Sequence, residues 1–231
     1  MKRRILMMLA AAVILQTAAW SATCVVGTVA DYQALGATGC TIGDKLFNNF
    51  TFTPTATGGA TLLTASSVTL TPITGPDIGL QFNALWFAGT NQFQDTTIGF
   101  DVTVVGGGSF LIKDASTVQS AGGFTGTGAA TVSEGLCIGS PCTPVLGTNT
   151  INTAGTTILS SNVIFTPSGT LHAVKDIGVT GGSNGTANLS QVTDTFSQTQ
   201  VPEPTSILLL GSVMVVTGGF FRRRQAQKSS N

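Results

Sequence analysis

Short alternations of apolar and polar residues run through positions 23–200 of the sequence. No window in this stretch keeps the apolar period of about 3.6 residues that marks an amphipathic helix. The clearest alternation places Ile98, Phe100, Val102 and Val104 on one side and Thr97, Gly99, Asp101 and Thr103 on the other. Gly, Pro and Asn interrupt the chain about every eight to twelve residues, as turns between short strands do. The pattern predicts an all-β domain, an antiparallel β-sandwich of roughly ten short strands.

Weaker runs of the same kind predict further strands. They pair Phe50 with Phe52, Val68 with Leu70, Ile78 with Leu80 and Phe82, Phe110 with Ile112, and Leu171 with Ala173. Glycines 106–108 are expected to form a hairpin turn between the two strands that flank them. The glycine-rich segment 122–128 precedes no helix, so we interpret it as a loop or a strand and not as a phosphate-binding cradle.

The formal net charge of the whole chain is zero, but its charges are segregated. Residues 23–200 contain nine acidic residues and three lysines, which gives this part a net charge of −6. The other basic residues lie at the two ends: Lys2, Arg3, Arg4, Arg222, Arg223, Arg224 and Lys228. An acidic body without a basic patch argues against nucleic acid as a partner.

Residues 1–22 have the three parts of a secretory signal peptide. A basic start, Lys2 to Arg4, precedes an apolar run at 5–15 and small residues at 18–22, among which Ala19 and Ser21 suit signal peptidase. As a helix the apolar run would rise about 16 Å, roughly half of a hydrocarbon core, which disfavours an uncleaved anchor. A lipoprotein modified at Cys24 is disfavoured because the preceding Thr23 is larger than the usual Gly, Ala or Ser. We therefore expect export through the general secretory machinery.

Export changes the interpretation of the cysteines Cys24, Cys40, Cys137 and Cys142. In an oxidising compartment two disulfides are favoured over a redox or metal site, and three pairings are possible. The local pairs are preferred, because Cys137 and Cys142 bracket a Gly-Ser-Pro turn and a bond from Cys24 to Cys40 would fix the mature N-terminus. With a single histidine and no CxxC pair, we expect no metal site and no cofactor.

The C-terminal segment 201–231 predicts a membrane anchor that is preceded by an extended, proline-containing stretch of chain. Residues 205–221 are free of charge and would rise about 26 Å as a helix, the lower edge of what spans a bilayer. Arg222, Arg223 and Arg224 should stay in the cytoplasm, which leaves the body outside. Pro202 and Pro204 hold the preceding chain extended and present Glu203 close to the membrane surface. An extended strand of this kind suits the cleft of a protease or transpeptidase.

The motif Val201-Pro202-Glu203-Pro204, the apolar span and the three arginines together resemble a PEP-CTERM sorting signal. The segments 40–53, 95–104, 110–117 and 171–198 are similar to stretches that recur in the exported domains of PEP-CTERM proteins. The resemblance implies recognition by an exosortase, a membrane transpeptidase that would cut near Pro-Glu-Pro in a Gram-negative bacterium that makes exopolysaccharide. The body would then pass from the inner membrane to the cell surface or the extracellular matrix. The alternative is an ordinary tail anchor, and the resemblance brings no defined activity.

Residues able to perform catalysis are sparse. His172 is the one candidate base, and its place in the run LHAVKD predicts a surface or cross-strand histidine opposite Leu171 and Ala173. Calcium would need a loop site built from Asp95 and Asp101. Paired carboxylates for glycoside hydrolysis cannot be identified from spacing. Trp86 and Tyr32 are the aromatic candidates for stacking on a sugar, and for Trp86 a position in the core is the preferred interpretation.

We therefore expect a non-catalytic exported surface or matrix protein associated with exopolysaccharide. A carbohydrate-binding module or adhesin that uses Trp86 is the alternative, and an exported hydrolase is the third. Burial of Trp86 favours the first, exposure of Trp86 favours the second, and a cleft with paired carboxylates favours the third.

Overall fold

The computed structural model of the chain describes residues 21–106, 110–120, 122–137, 146–153 and 157–200. The predicted signal peptide, apart from its last two residues, and the predicted sorting signal at 201–231 lie outside the described residues. Cys142 does so as well. Within the described residues, no helix is both long enough and apolar enough to cross a membrane.

Fifteen strands in the described residues form two sheets. The larger sheet has eight strands, in the spatial order β1 (Ala22–Thr23), β3 (Cys40–Ile42), β4 (Lys45–Thr57), β7 (Phe93–Val104), β14 (Thr170–Thr180), β10 (Ala129–Cys137), β11 (Leu146–Thr153) and β12 (Thr157–Ile158). The smaller sheet has the order β13 (Ser160–Ser168), β8 (Phe110–Gln119), β15 (Gly185–Gln200), β6 (Ile78–Ala88), β5 (Thr69–Ile73) and β2 (Gly27–Thr28). Strand β9 (Gly123–Gly126) also pairs with β15.

The two sheets pack face to face around one apolar core. Phe47 and Phe100 of the larger sheet meet Phe82 and Phe196 of the smaller one, with ring centroids between 6.0 and 6.3 Å apart. All four rings are fully buried, and such pairs add to the free energy gained by burying apolar surface. The prediction of an all-β sandwich is confirmed. The strands are antiparallel except for the short pair of β1 with β3, and the number of strands exceeds the expected ten because several have only two residues.

The prediction of a hairpin at 106–108 is wrong. Strand β7 ends at Val104 and pairs with β4 and β14, whereas β8 begins at Phe110 and pairs with β13 and β15. The connection therefore passes from one sheet to the other. Alternation identifies strands on both sides of a turn but does not show whether those strands are hydrogen-bonded to each other.

A short helix, α1 (Val29–Ala34), was not expected from the sequence. Thr28 caps it: its hydroxyl accepts from the backbone N–H of Asp31, and the Asp31 carboxylate accepts from the backbone N–H of Thr28. This reciprocal arrangement, Thr-x-x-Asp in the sequence, is a helix-start signal. The helix buries Val29 and Tyr32 against the sandwich, and the Tyr32 hydroxyl donates to the Val25 carbonyl at 2.8 Å.

Candidate binding face of the larger sheet

The outer side of the larger sheet is a polar surface made by alternate residues of β4, β7 and β14. The register lines these residues up in rows. One row contains Thr53, Thr97 and Asp176, the next contains Thr55, Asp95 and Gly178, and a third contains Thr57, Phe93 and Thr180. Strand alternation sends the intervening residues, such as Thr96 and Ile98, into the core. The result is a face of hydroxyls, carboxylates and glycines, which we call the β4–β7–β14 face.

Two carboxyl groups on this face lie beside each other. Asp95 and Asp176 are diagonal neighbours on β7 and β14, one row apart in the register. Partial burial is the main cause that raises the pKa of Asp95 to about 7, followed by a hydrogen bond to Asp176 and by the negative charge of Asp176. Both carboxyl groups can accept hydrogen bonds from a hydroxylated ligand, and Asp95 can also donate one when it is protonated, which its raised pKa favours.

An aromatic ring stands next to this pair. Asp95 Oδ1 lies 3.4 Å, and the Phe93 ring 3.7 Å, from the point where a side chain at Gly178 would begin. Phe93 is 38% exposed, so its ring is in contact with solvent. Since position 178 has no side chain, the ring and the carboxyl group can approach each other over the backbone of Gly178.

A second cluster occupies the same face nearer the other end of β7. His172 and Asp101 are directly paired across β14 and β7, and His172 Nδ1 lies 2.6 Å from Asp101 Oδ1. The other carboxylate oxygen of Asp101 accepts from Asn49 Nδ2 at 2.7 Å. Asn49 has a positive φ of 55° inside a bulge of β4, which turns its side chain towards Asp101. The predicted role of His172 as a cross-strand histidine is confirmed.

The face offers carboxyl groups, hydroxyls and one exposed ring that a ligand could contact. Glycoside hydrolysis uses two carboxyl groups at least about 5 Å apart, and Asp95 and Asp176 are two carboxyl groups that lie one row apart on this face. Thr51 could act as a nucleophile beside His172, but its hydroxyl accepts from the Gly99 backbone at 3.1 Å, and the structure describes no hydrogen bond between Thr51 and the imidazole. No group of three potential metal ligands occurs among the described residues.

Several candidate residues lie elsewhere than expected. Trp86 is fully buried, and its indole N–H donates to Thr96 Oγ1 at 3.2 Å, so the prediction that it contacts a ligand is wrong and the core alternative holds. Tyr32 is also buried, and burial raises the pKa of its hydroxyl to about 12. A calcium loop at Asp95 and Asp101 is wrong as well. Both residues lie on the straight strand β7, six positions and therefore about 20 Å apart.

The predicted disulfide between Cys24 and Cys40 is present, with the Cα atoms 4.8 Å apart. Cys137 is also disulfide-bonded, and its predicted partner Cys142 lies outside the described residues. Phe93, which sequence reasoning missed, could have been found. Phe93 lies an even number of positions from Thr97 and Gly99, so strand alternation places it on the same outer side as those two residues.

A groove of about 800 Å³ opens on the smaller sheet. Its lining includes Asp44, Lys45, Asp114, Ser197 and Gln198. These groups are occupied with one another: Gln198 Nε2 donates to both oxygens of Asp44 at 2.7 Å, and Ser197 Oγ donates to Asp114 Oδ2 at 2.5 Å. Burial lowers the pKa of Lys45, and Asp44 opposes this. Because these five polar groups already have partners, we regard the groove as a weaker candidate than the β4–β7–β14 face.

No protein-family model and no curated protein matches the chain. Two solved structures are similar to parts of it. One is the enzymatically active domain of tailspike protein 4 of bacteriophage CBA120, at 12% identity and a TM-score of 0.28, over 66% of this chain and 19% of that one. The other is TmCBM61 in complex with β-1,4-galactotriose, at 7% identity and a TM-score of 0.30, over 65% of this chain and 88% of that one. Neither TM-score is high enough to carry an argument about family or function.

Proposed function

We propose that this chain is a non-catalytic exported protein of the cell surface or extracellular matrix that binds exopolysaccharide through its β4–β7–β14 face. The observation that carries the proposal is the convergence of Phe93 and Asp95 over Gly178, with Asp176 beside them. A pyranose presents an apolar C–H side and a rim of hydroxyls. Phe93 offers a ring for the first, and the two carboxyl groups offer hydrogen-bond partners for the second.

Delivery to that location is the second part of the proposal. The signal peptide at 1–22 would export the chain, and the PEP-CTERM signal at 201–231 would hold it in the inner membrane until an exosortase processes it near Pro202, Glu203 and Pro204. The Cys24–Cys40 disulfide supports an oxidising location outside the cytoplasm, where such bonds persist. The two parts are independent, because polysaccharide binding does not require any one route of delivery.

Binding can be tested with the full chain in detergent and with exopolysaccharide purified from the source organism. Phe93→Ala and Asp176→Asn should each weaken binding about tenfold, since one stacking or charged contact contributes about 1 to 2 kcal/mol. Phe87→Ala is the matched control, because Phe87 is 44% exposed on the smaller sheet. Phe110→Ala, also 44% exposed, reports on the groove. Loss of binding in either control but not in Phe93→Ala would contradict the assignment.

Processing can be tested in a host that contains an exosortase. We expect replacement of Pro202, Glu203 and Pro204 by alanine to leave the chain at its membrane-bound mass and to abolish its release to the surface. An unchanged mature mass together with unchanged release would reject the sorting proposal. The polysaccharide-binding result would be unaffected.

A further inference from the structure

Three ionisable side chains lie inside the sandwich, between the two sheets. They are Lys175 on β14, Glu134 on β10 and Asp194 on β15, and all three side chains are completely buried. Lys175 and Glu134 are direct register partners within the larger sheet, whereas Asp194 belongs to the smaller sheet. The register neighbours Ile98 and Leu80 are fully buried apolar residues. A charged cluster in such surroundings is costly unless its charges are removed or paired.

The contacts place the amine directly against one carboxyl group. Lys175 Nζ is hydrogen-bonded to Asp194 Oδ1 and to the Thr117 hydroxyl, the latter at 2.6 Å. Glu134 Oε1 lies 3.5 Å from the same nitrogen. Thr117 Oγ1 also lies 2.9 Å from Asp194 Oδ1 and 3.4 Å from Glu134 Oε2, so it bridges the two acids. One amine is therefore held between an acid that it touches and a second acid within reach.

We propose that Lys175 and Asp194 form an intramolecular amide bond inside the sandwich, with Glu134 carrying the protons. In water an ammonium ion and a carboxylate do not react, because the first has no free electron pair and the second is a poor electrophile. In an apolar interior, transfer of a proton from Lys175 to Asp194 removes both charges and leaves an amine beside a carboxylic acid. The fold also holds the two reacting groups in contact. Such an intramolecular reaction proceeds as if one partner were present at an effective concentration of about 10⁵ M or more.

The reaction balances without any further reagent. The Lys175 nitrogen attacks Cγ of the protonated Asp194, and the new N–C bond forms as the carbonyl becomes tetrahedral. Glu134 takes a proton from the nitrogen and delivers a proton to the departing oxygen of Asp194, so one C–O bond breaks and one water leaves. Burial, followed by the adjacent Asp194 charge, raises the pKa of Glu134 well above its usual range, so Glu134 starts in its acid form, donates its proton to the departing oxygen and receives the proton of the nitrogen in return. The product is one secondary amide that joins the two sheets.

Asp194 is assigned as the electrophile in preference to Glu134 on geometry. Lys175 touches Asp194, and Glu134 stands further away. Asp194 Oδ2 and Glu134 Oε1 both lack a hydrogen bond among the described residues, so the choice between the two acids rests on the direct contact of Lys175 with Asp194. A Lys175–Asp194 bond would connect β14 to β15 across the core, and it would resist separation of the sheets in a protein exposed to proteases and shear.

Tryptic mapping of the full chain tests the proposal directly. After denaturation, reduction and alkylation, trypsin normally cleaves after Lys113 and Lys175. An amidated Lys175 is not a trypsin site, so we expect a single fragment that runs from Asp114 past Asp194 and is lighter than its sequence mass by one water, about 18 Da. Cleavage after Lys175 into peptides of full sequence mass would overturn the proposal.

Two substitutions identify the roles of the acids. Glu134→Gln removes the proton carrier with little change in shape, so trypsin should again cleave after Lys175, and the matched surface control Asp101→Asn should keep the linked fragment. Asp194→Asn should still form the bond but should lose ammonia, about 17 Da, in place of water. If Glu134→Gln gave the 17 Da loss and Asp194→Asn the 18 Da loss, Glu134 would be the electrophile and the assignment would be wrong. The wild-type mass measurement does not depend on the folding of any variant.

Discussion

His172 Nδ1 lies 2.6 Å from Asp101 Oδ1, across the pairing of β14 with β7. Both side chains are partly exposed, so solvent screens the interaction and its worth should be about 0.5 to 1 kcal/mol. A double-mutant cycle with His172→Ala and Asp101→Ala, measured by urea denaturation, should give a coupling of this size. The neighbouring pair Thr103 and Thr170, with hydroxyls 3.2 Å apart, is the control and should show a smaller coupling. Zero coupling between His172 and Asp101 would contradict the pairing.

Thr96→Val should destabilise the fold by about 1 to 3 kcal/mol, because the shape is kept but the buried indole N–H of Trp86 loses its acceptor. The comparison variant is Thr97→Val, which makes the same change one residue along on the outer side of β7 and should cost less. Chemical denaturation followed by circular dichroism measures both. Equal losses of unfolding free energy in the two variants would mean that the Trp86–Thr96 hydrogen bond does not contribute measurably to stability.

The raised pKa of Asp95 predicts a pH dependence of stability. A group whose pKa rises from 3.8 when unfolded to about 7 when folded binds its proton more tightly in the folded state. Its contribution is therefore complete below pH 3.8 and is lost as the pH rises through about 7. Asp95→Asn should flatten this part of the stability profile relative to the wild type, as measured by melting temperature at a series of pH values. Identical slopes in the two proteins would show that folding does not raise the pKa of Asp95.

Replacement of Cys24 and Cys40 by serine should cost about 3 kcal/mol, because the bond closes a loop with a sequence separation of 16. The bond ties the start of the sandwich to β3, which is the neighbour of β4, the strand against which α1 packs. The double variant is preferred to chemical reduction, since reduction would also affect Cys137. The free energy of unfolding measures the effect. Proteolysis should in addition become faster near the N-terminal strands and remain unchanged at β15.

Much of the architecture followed from the sequence. Alternation identified Ile98, Phe100 and Val102 as core residues of one strand, and all three are fully buried. It also placed His172 on the opposite side from Leu171 and Ala173. The local cysteine spacing led to the Cys24–Cys40 disulfide. Each of these features depends on neighbours that are close in sequence or on the fixed period of a strand, and both can be read without knowing which strands pair.

The candidate sites could not be predicted from local sequence patterns. The face with Phe93 and Asp176 depends on the register between β7 and β14, whose paired residues are 67 to 87 positions apart in the chain. Trp86 could be assigned to the core or to the surface until its environment was known. The Thr-x-x-Asp cap of α1 was present in the sequence but was hidden by the prevailing strand pattern.

The buried cluster of Lys175, Glu134 and Asp194 shows which features the sequence determines and which depend on the tertiary structure. Lys175, Glu134 and Asp194 each occupy an inward position of an alternating strand, so the sequence by itself determined that three charged residues would interrupt the apolar face. Only the tertiary structure decided that they meet. Period-two alternation fixes which side of a strand a residue lies on, but it contains no information about which sheets face each other or at what offset. That choice is made by the packing of the whole core, and it is this packing that places Lys175 against Asp194 in a buried, largely apolar interior.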